Sequence, residues 1–452
     1  MKKVNLLLAA VVAASVSAPA LAEYTPNAHF FGYFRAGIGF DKNGSANSYE
    51  VGEVGRLGNE NNMVAEIGIG TDIAKVDDTI WTINSMLKSI STGTDVHGKA
   101  YGYDVNNEWD KPKGNPTSGA STKTGYQNEA ETFVSQFNVE VKGLLSWDKD
   151  ALVWAGRRYV QREDIHLTDD YYYNISGNGI GVENVSLGSG KWSIAATQLI
   201  NDRVHNTFKD NNRQNTNCFD TRYNFPLWDG ASFQIGELFS YIKSKKADAH
   251  TKNGNTVTLE FTQGFSGGFN KTVYQWMLGA SAVELAAESW DNNYEGAAVG
   301  HKLYNFGDFK ITDNFGLAHV IKLTYKTKSD IGDGDYNQKG FSVVLRPYVA
   351  LTKMTRLLVE VGAFGKYNET NKDSGKVKSY QRGQKATIAY AITPDAKNFW
   401  SRPEIRLFAT WVHSPDENVT SSAYSYRDPL SKTGLEEGKT NFVVGAQVES
   451  WF

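Results

Sequence analysis

The chain has 452 residues, with 47 basic against 50 acidic side chains, a formal charge of −3 and a single cysteine, Cys218. The near balance of charge gives no electrostatic case for nucleic acid, and one cysteine excludes an intrachain disulfide and the small stapled secreted domains that depend on several. Glycine (43) and aromatics (23 Phe, 23 Tyr, 11 Trp) are plentiful while proline (10) is scarce, which in an exported chain of this length points to many strands joined by tight turns.

Residues 1–22, MKKVNLLLAAVVAASVSAPALA, read as a secretory signal. Lys2 and Lys3 form the positive end, Leu6 to Val16 the apolar run, and Ala20-Leu21-Ala22 the small-residue cleavage site. The mature chain is expected to start at Glu23, and residues 23–452 to form one domain. No later apolar stretch is long enough for a membrane-spanning helix.

From about residue 30 onward the chain alternates with period two, the mark of strands with unlike faces. Phe34, Ala36, Ile38 and Phe40 alternate with Arg35, Gly37 and Gly39. Met63, Ala65, Ile67 and Ile69 alternate with Val64, Glu66 and Gly68. The same holds for Val257, Leu259 and Phe261 against Thr258, Glu260 and Thr262, and for Phe341, Val343 and Leu345 against Ser342 and Arg346. Near the end, Ile405, Leu407, Ala409 and Trp411 stand against Glu404, Arg406 and Thr410, and Phe442, Val444, Ala446, Val448 and Phe452 against Gly445, Gln447, Glu449 and Trp451. Long polar stretches, notably Ser91 to Glu131 and Ile200 to Asn215, separate these runs.

One greasy and one polar face per strand fit either a soluble sandwich or a membrane barrel with a polar lumen. The unbroken pattern, the long polar connections and the terminal aromatic Phe452 favour the barrel. The fold class expected is therefore all-β, a transmembrane antiparallel β-barrel. The stretch Trp154 to Asn184 stands apart from the strands: it mixes arginines, acids and the run Tyr171-Tyr172-Tyr173 and has no packed-core signature, so it reads as a surface that meets something wet, such as a sugar.

These residues resemble the maltoporins, sugar-specific outer-membrane porins. The resemblance runs through Phe31 to Gly39, Arg56-Leu57-Gly58-Asn59-Glu60, Trp154-Ala155-Gly156-Arg157-Arg158, Gln161-Arg162 to Asn184, Gly268-Phe269-Asn270-Lys271, Trp400-Ser401-Arg402-Pro403 and Gly445 to Trp451. It implies an 18-stranded barrel in the outer membrane of a Gram-negative bacterium, assembled as a homotrimer, with the stretch around Arg162 folded inward as the constriction. By position it implies a slide of aromatics at Tyr33, Phe269, Trp400 and Trp451, with Trp109 as the remaining tryptophan, and an ionic track at Arg35, Arg56, Glu66, Arg162, Asp164 and Asp169, with Tyr171 narrowing the pore. Three departures are visible. Val64 replaces a slide tyrosine, Thr132 to Val141 lacks the basic residue of the family's track, and the family's disulfide is absent.

The residues support the same reading by parity. Tyr33 and Arg35 share the polar face of their strand, Trp451 falls beside Glu449, and Phe269 falls with Lys271 and Gln275, while Tyr274 and Trp276 face lipid. An indole or phenol ring suits the C–H face of a sugar, and arginine forks and carboxylates suit its hydroxyl rim. The expected partners are an oligosaccharide and outer-membrane lipid, with no cofactor, metal or catalysis. Two alternatives stand beside this. A general diffusion porin would need no aromatics on the polar face. An outer-membrane hydrolase would need a nucleophile paired with His166, near Asp164 and Asp169, and no such signature accompanies it. His166 reads as a loop hydrogen-bonder, the eight histidines lack metal-ligand spacing, and the acids of Asp330 to Asp335 suggest a calcium only weakly.

Overall fold

In the computed structural model the described residues are 27–41, 44–45, 52–58, 60, 62–91, 130–200, 214–244, 253–285, 298–330, 334–372, 375–413 and 440–452. The expected signal sequence and Trp109 lie outside them. The wall is a closed antiparallel barrel of 18 strands. In chain order these are Ala28–Asp41, Met63–Val76, Thr79–Ser91, Ala130–Lys142, Leu152–Arg158, Gly177–Leu187, Gly190–Ile200, Gln214–Trp228, Ala231–Ser244, Asn253–Phe265, Gly268–Gly279, Val299–Lys310, Phe315–Asp330, Gly334–Ala350, Thr355–Lys372, Gly375–Ile392, Glu404–His413 and Thr440–Trp451. The first strand closes the ring, pairing with the second through Tyr33↔Glu66 and with the last through Tyr33↔Trp451.

Tight turns join the strands at one rim. Asp77-Asp78, Gly188-Ser189, Asp229-Gly230 and Ser266-Gly267 each connect neighbours directly, and Asp77, Gly188, Gly230 and Gly267 take the positive φ that two-residue hairpins need.

The two faces are sorted as the alternation predicts, but inside out relative to a soluble protein. Phe30, Ile38, Ile180, Phe219, Leu407 and Phe442 are exposed on the outer face, whereas Glu66, Glu260, Arg346, Glu360, Glu404 and Glu449 are buried in the lumen. A sandwich would hide the first set against a second sheet; a barrel in lipid presents it outward. No helix among the described residues is long and apolar enough to cross a membrane; the strands' backbone groups are satisfied by closure of the barrel, as a sheet in lipid requires.

Two segments leave the rim and fold into the lumen. The first, residues 52–58 with Glu60 and Asn62, opens with a single 3-10 turn, Gly52–Val54, and residues 55–58 lie against the far wall. There Glu360 Oε1 accepts from Leu57 N (3.0 Å), and Lys385 Nζ donates to the carbonyls of Gly55 (2.7 Å) and Leu57 (2.8 Å). Two glycines permit this approach: a Cβ on Gly55 would strike the Glu360 carboxylate at 2.4 Å, and one on Gly58 would strike Thr410 Oγ1 at 2.4 Å, both with positive φ. The second segment, residues 159–176, carries a small hairpin of Glu163–Ile165 and Asp170–Tyr173. Arg56 N donates to Leu167 O at 3.0 Å, tying the two segments together.

The second segment corrects one expectation. It does have a packed side: Val160, Ile165, Leu167, Tyr172, Tyr173 and Ile175 are almost wholly buried and form part of the main apolar cluster. Tyr172 donates to Glu260 (3.2 Å) and Tyr173 donates to Asp220 on the wall. The tyrosine run therefore splits, with Tyr171 facing the lumen and the next two wedged between segment and wall. A loop that hangs inside a barrel has to bury one face, and sequence period alone does not reveal which residues turn that way.

Candidate functional site

Where the two inward segments face the first three strands and the turn before Glu404, they leave a cavity of about 1230 Å³. Tyr33, Arg35, Arg56, Glu66, Arg162, Asp164, Asp169, Tyr171, Phe269, Trp400 and Trp451 all line it. The residues come from both ends of the chain because barrel closure sets the first strand beside the last.

The aromatics form a ribbon. Tyr33 and Trp451 are cross-strand partners. Trp451 and Trp400 have ring centroids 6.2 Å apart, and Trp400 and Phe269 stack at 6.3 Å with 30° between planes. Trp400 sits in the turn before Glu404 and is fixed by its indole N–H, which donates to Asp308 Oδ1 at 3.0 Å. The indole of Trp451 carries the Arg402 guanidinium 4.1 Å from its centroid. Such rings present flat apolar area while their polar edges are satisfied by the wall.

Along the ribbon runs a frame of ion pairs. Arg35 contacts Glu60 (2.6 Å) and Asp169 (2.9 Å); Arg56 contacts Glu60 (2.8 Å) and Glu449 (3.1 Å). Arg56 Nη2 donates to the Tyr33 hydroxyl at 2.8 Å, and that hydroxyl donates to Glu449 Oε1 at 3.0 Å. Glu66 meets Lys88 at 2.8 Å and Arg162 at 3.5 Å. Arg162 donates to the Tyr171 hydroxyl at 2.7 Å and lies over the rings of Tyr159 (4.3 Å) and Tyr171 (4.7 Å). Buried pairs of this kind contribute more to geometry than to net stability, since desolvation offsets most of the Coulomb gain.

Within the inward segment the charges are set apart from one another. Asp164 is exposed to the lumen, and enclosure by protein together with the neighbouring Asp169 carboxylate raises its pKa. Burial alone would raise Asp169 too, but Arg56 and Arg35 outweigh it and hold that carboxyl below its usual range. His166 is buried, with Arg56 Nη1 at 3.4 Å from Nδ1 and Arg402 Nη2 at 3.1 Å from Nε2. Burial and those two cations hold its pKa well below the usual imidazole value despite Glu449.

The sequence did not single out several of these groups. His166 reads there as a plain loop hydrogen-bonder; in the structure its ring lies 5.4 Å from Trp400 and 5.6 Å from Trp451, completing the ribbon's back. Lys88, on the third strand, places a cation beside Glu66, one strand before the Thr132 to Val141 stretch that lacks a basic residue. The pairing Glu66↔Lys88 would have exposed it once the hairpin at Asp77-Asp78 was recognised. Arg402, Asn62 and Glu60 lie in irregular segments, where no strand parity marks them as lumenal.

A model of the LamB porin family matches residues 28–452. The chain belongs to the LamB porin family. As such it is a porin of the outer membrane. The porin is 31% identical over 458 residues to Maltoporin 1 of Klebsiella pneumoniae subsp. pneumoniae, covering 99% of this chain and 97% of that one. It is 32% identical over 479 residues to a maltoporin of Vibrio cholerae serotype O1, covering 100% of each. Among solved structures, OccK8 (OprE) of Pseudomonas aeruginosa shows a looser likeness, at 8% identity and a TM-score of 0.48 over 94% of this porin and 98% of that chain.

Proposed function

We propose that this porin conducts oligosaccharides of the maltose and maltodextrin kind by facilitated diffusion, with Tyr33, Trp451, Trp400 and Phe269 as the slide and Arg35, Arg56, Glu66, Arg162, Asp164, Asp169 and Tyr171 as the polar track and constriction. The observation that carries the reading is the row of rings at Tyr33, Trp451, Trp400 and Phe269, the last three in ring contact and Tyr33 the strand partner of Trp451, inside a lumen otherwise lined by ion pairs. Three of these rings sit on the polar face of a strand and the fourth in a turn, and each keeps part of its surface open to the cavity. Each gives a pyranose an apolar rest, and the flanking arginines and carboxylates replace the water its hydroxyls lose. Release requires weak binding, and a millimolar site holds only about −4 kcal/mol. The maltoporin relatives support the same substrate class. Planar-bilayer conductance titrated with maltotriose tests the proposal: the current should fall saturably, whereas a general diffusion porin would pass ions undisturbed.

The proposal includes a cleaved signal at residues 1–22, a single barrel domain over residues 23–452, Trp109 as a further slide ring, and assembly as a homotrimer. The outer face supports the last point. Arg157 is exposed there beside Phe137, in one cross-strand row with Asn178, Gln198 and Asn217. An arginine facing lipid costs about 2–4 kcal/mol at the bilayer midplane, so a neighbouring subunit is the better cover for this row. Arg157→Leu should weaken the oligomer on unheated gels. If the variant instead leaves the oligomer intact and raises the barrel's unfolding temperature, Arg157 faces lipid.

A further inference from the structure

Beyond Tyr33 the ribbon of rings stops, and what replaces it is an aliphatic pair. Val64 and Ile90 are direct cross-strand partners on the lumenal face, and both line the cavity. Val64 is nearly covered, and Ile90 stands half-buried over it. Branched methyl groups make a notched surface rather than a flat one, so they suit the face of a pyranose poorly and a small apolar substituent well.

Polar groups surround the notch. Lys88 sits two residues before Ile90 and uses its ammonium on Glu66 at 2.8 Å, with two further N–H bonds to give. Asn62 sits two residues before Val64; its Oδ1 accepts from Arg35 Nε at 3.2 Å, and its amide NH₂ has no partner among the described residues. Arg35 is the direct partner of Val64 on the first strand, and Glu66, two residues after Val64, has one carboxylate oxygen held only by Arg162 at 3.5 Å. Donors and an acceptor therefore border a methyl-sized apolar floor. That is the complement of an amide carrying a methyl group: its C=O accepts, its N–H donates, and its CH₃ is apolar.

We infer that Val64 and Ile90, with Lys88, Asn62 and Glu66, form a subsite for the acetamido group of an N-acetylhexosamine unit. The inference rests on the sugar-channel reading and adds N-acetylated sugars to the maltodextrins proposed for it. The test compares two β-1,4 disaccharides that differ at the C2 substituent, cellobiose and N,N′-diacetylchitobiose, each titrated against single-channel current through the wild-type porin. The acetylated sugar should block at about four-fold lower concentration, the factor that goes with about 0.8 kcal/mol for one buried methyl-sized group. In a Val64→Ser, Ile90→Ser double variant the ratio should fall to near one. Equal block of the wild type by both sugars, or a ratio that survives the double substitution, overturns the subsite. If maltotriose blocks and the acetylated sugar does not, the channel reading stands and the subsite falls; if no sugar blocks, both fall.

Discussion

Replacing Trp451 with alanine separates the aromatic ribbon from the ionic frame around it. The indole is half-buried and lies between Trp400, 6.2 Å away, and its strand partner Tyr33. Removing it deletes one ring contact from any sugar on the ribbon, about 0.5–1.5 kcal/mol, which is roughly two- to twelve-fold in Kd. The frame should survive the change. Arg402 loses the ring beneath it but keeps Glu449 at 2.8 Å and the Ser401 carbonyl at 2.9 Å, and Arg56 keeps Glu60. Ion conductance in potassium chloride should therefore change little while block by maltotriose weakens, and Trp451→Phe, which keeps a ring, should recover most of the loss. The assay is current-fluctuation analysis of single channels with sugar added to one side. Unchanged sugar affinity in a conducting variant would refute the ribbon as the binding surface, and a parallel fall in ion conductance would show that the ring props the pore open instead.

Arg162→Ala should raise ion conductance and weaken sugar block, because the side chain fills the space between the Tyr159 and Tyr171 rings and donates to Tyr171; conductance that stays level would place the narrowest point elsewhere. Acid should act in two steps on cation selectivity. Asp164, raised by enclosure and by Asp169, takes its proton first as pH falls, whereas Asp169, held down by Arg56 and Arg35 against its burial, stays ionised to lower pH. Reversal potentials measured across a salt gradient should show the first step vanish in Asp164→Asn, and a profile unaltered by that substitution would rule the assignment out. Val64→Tyr combined with Ile90→Ala, which clears the partner position, should tighten maltohexaose more than maltose by about 1 kcal/mol, the scale of one added ring; equal gains for both sugars would put position 64 off the path.

The wall was legible because its rule is local. Two residues of alternation, repeated from Phe34 to Phe452, state which side chains meet lipid and which meet the lumen, and Tyr33, Arg35, Glu66, Phe269 and Trp451 all follow their strand's parity into the cavity. Trp400 did not follow from parity, since it lies in a turn; the resemblance located it, and Asp308 holds it there. The inward segments obey no period at all. Their residues are sorted by which patch of far wall each meets, as when Glu360 and Lys385 hold Gly55 and Leu57 across more than three hundred intervening residues. Lys88 and Ile90 went unread for a different reason: their strand places Ser85, Leu87 and Ser89 outward, so its greasy face is too weakly apolar to announce the polar one.

The clasp of residues 55–58 onto the far wall separates two design tasks that a plain barrel would merge. Strand number fixes the outer girth, and altering it means rebuilding every neighbouring ladder. The bore is fixed elsewhere, by how far two short detachable segments project from their anchor points. Those anchors are a few inward side chains, among them Glu360, Lys385, Thr387 and Thr410 for the first segment, and none of them touches lipid. A lineage of such porins is thus free to retune what it admits by trading the tips of these segments while the anchors and the cylinder remain as they are, and cargo and membrane fit become traits that selection can adjust one at a time.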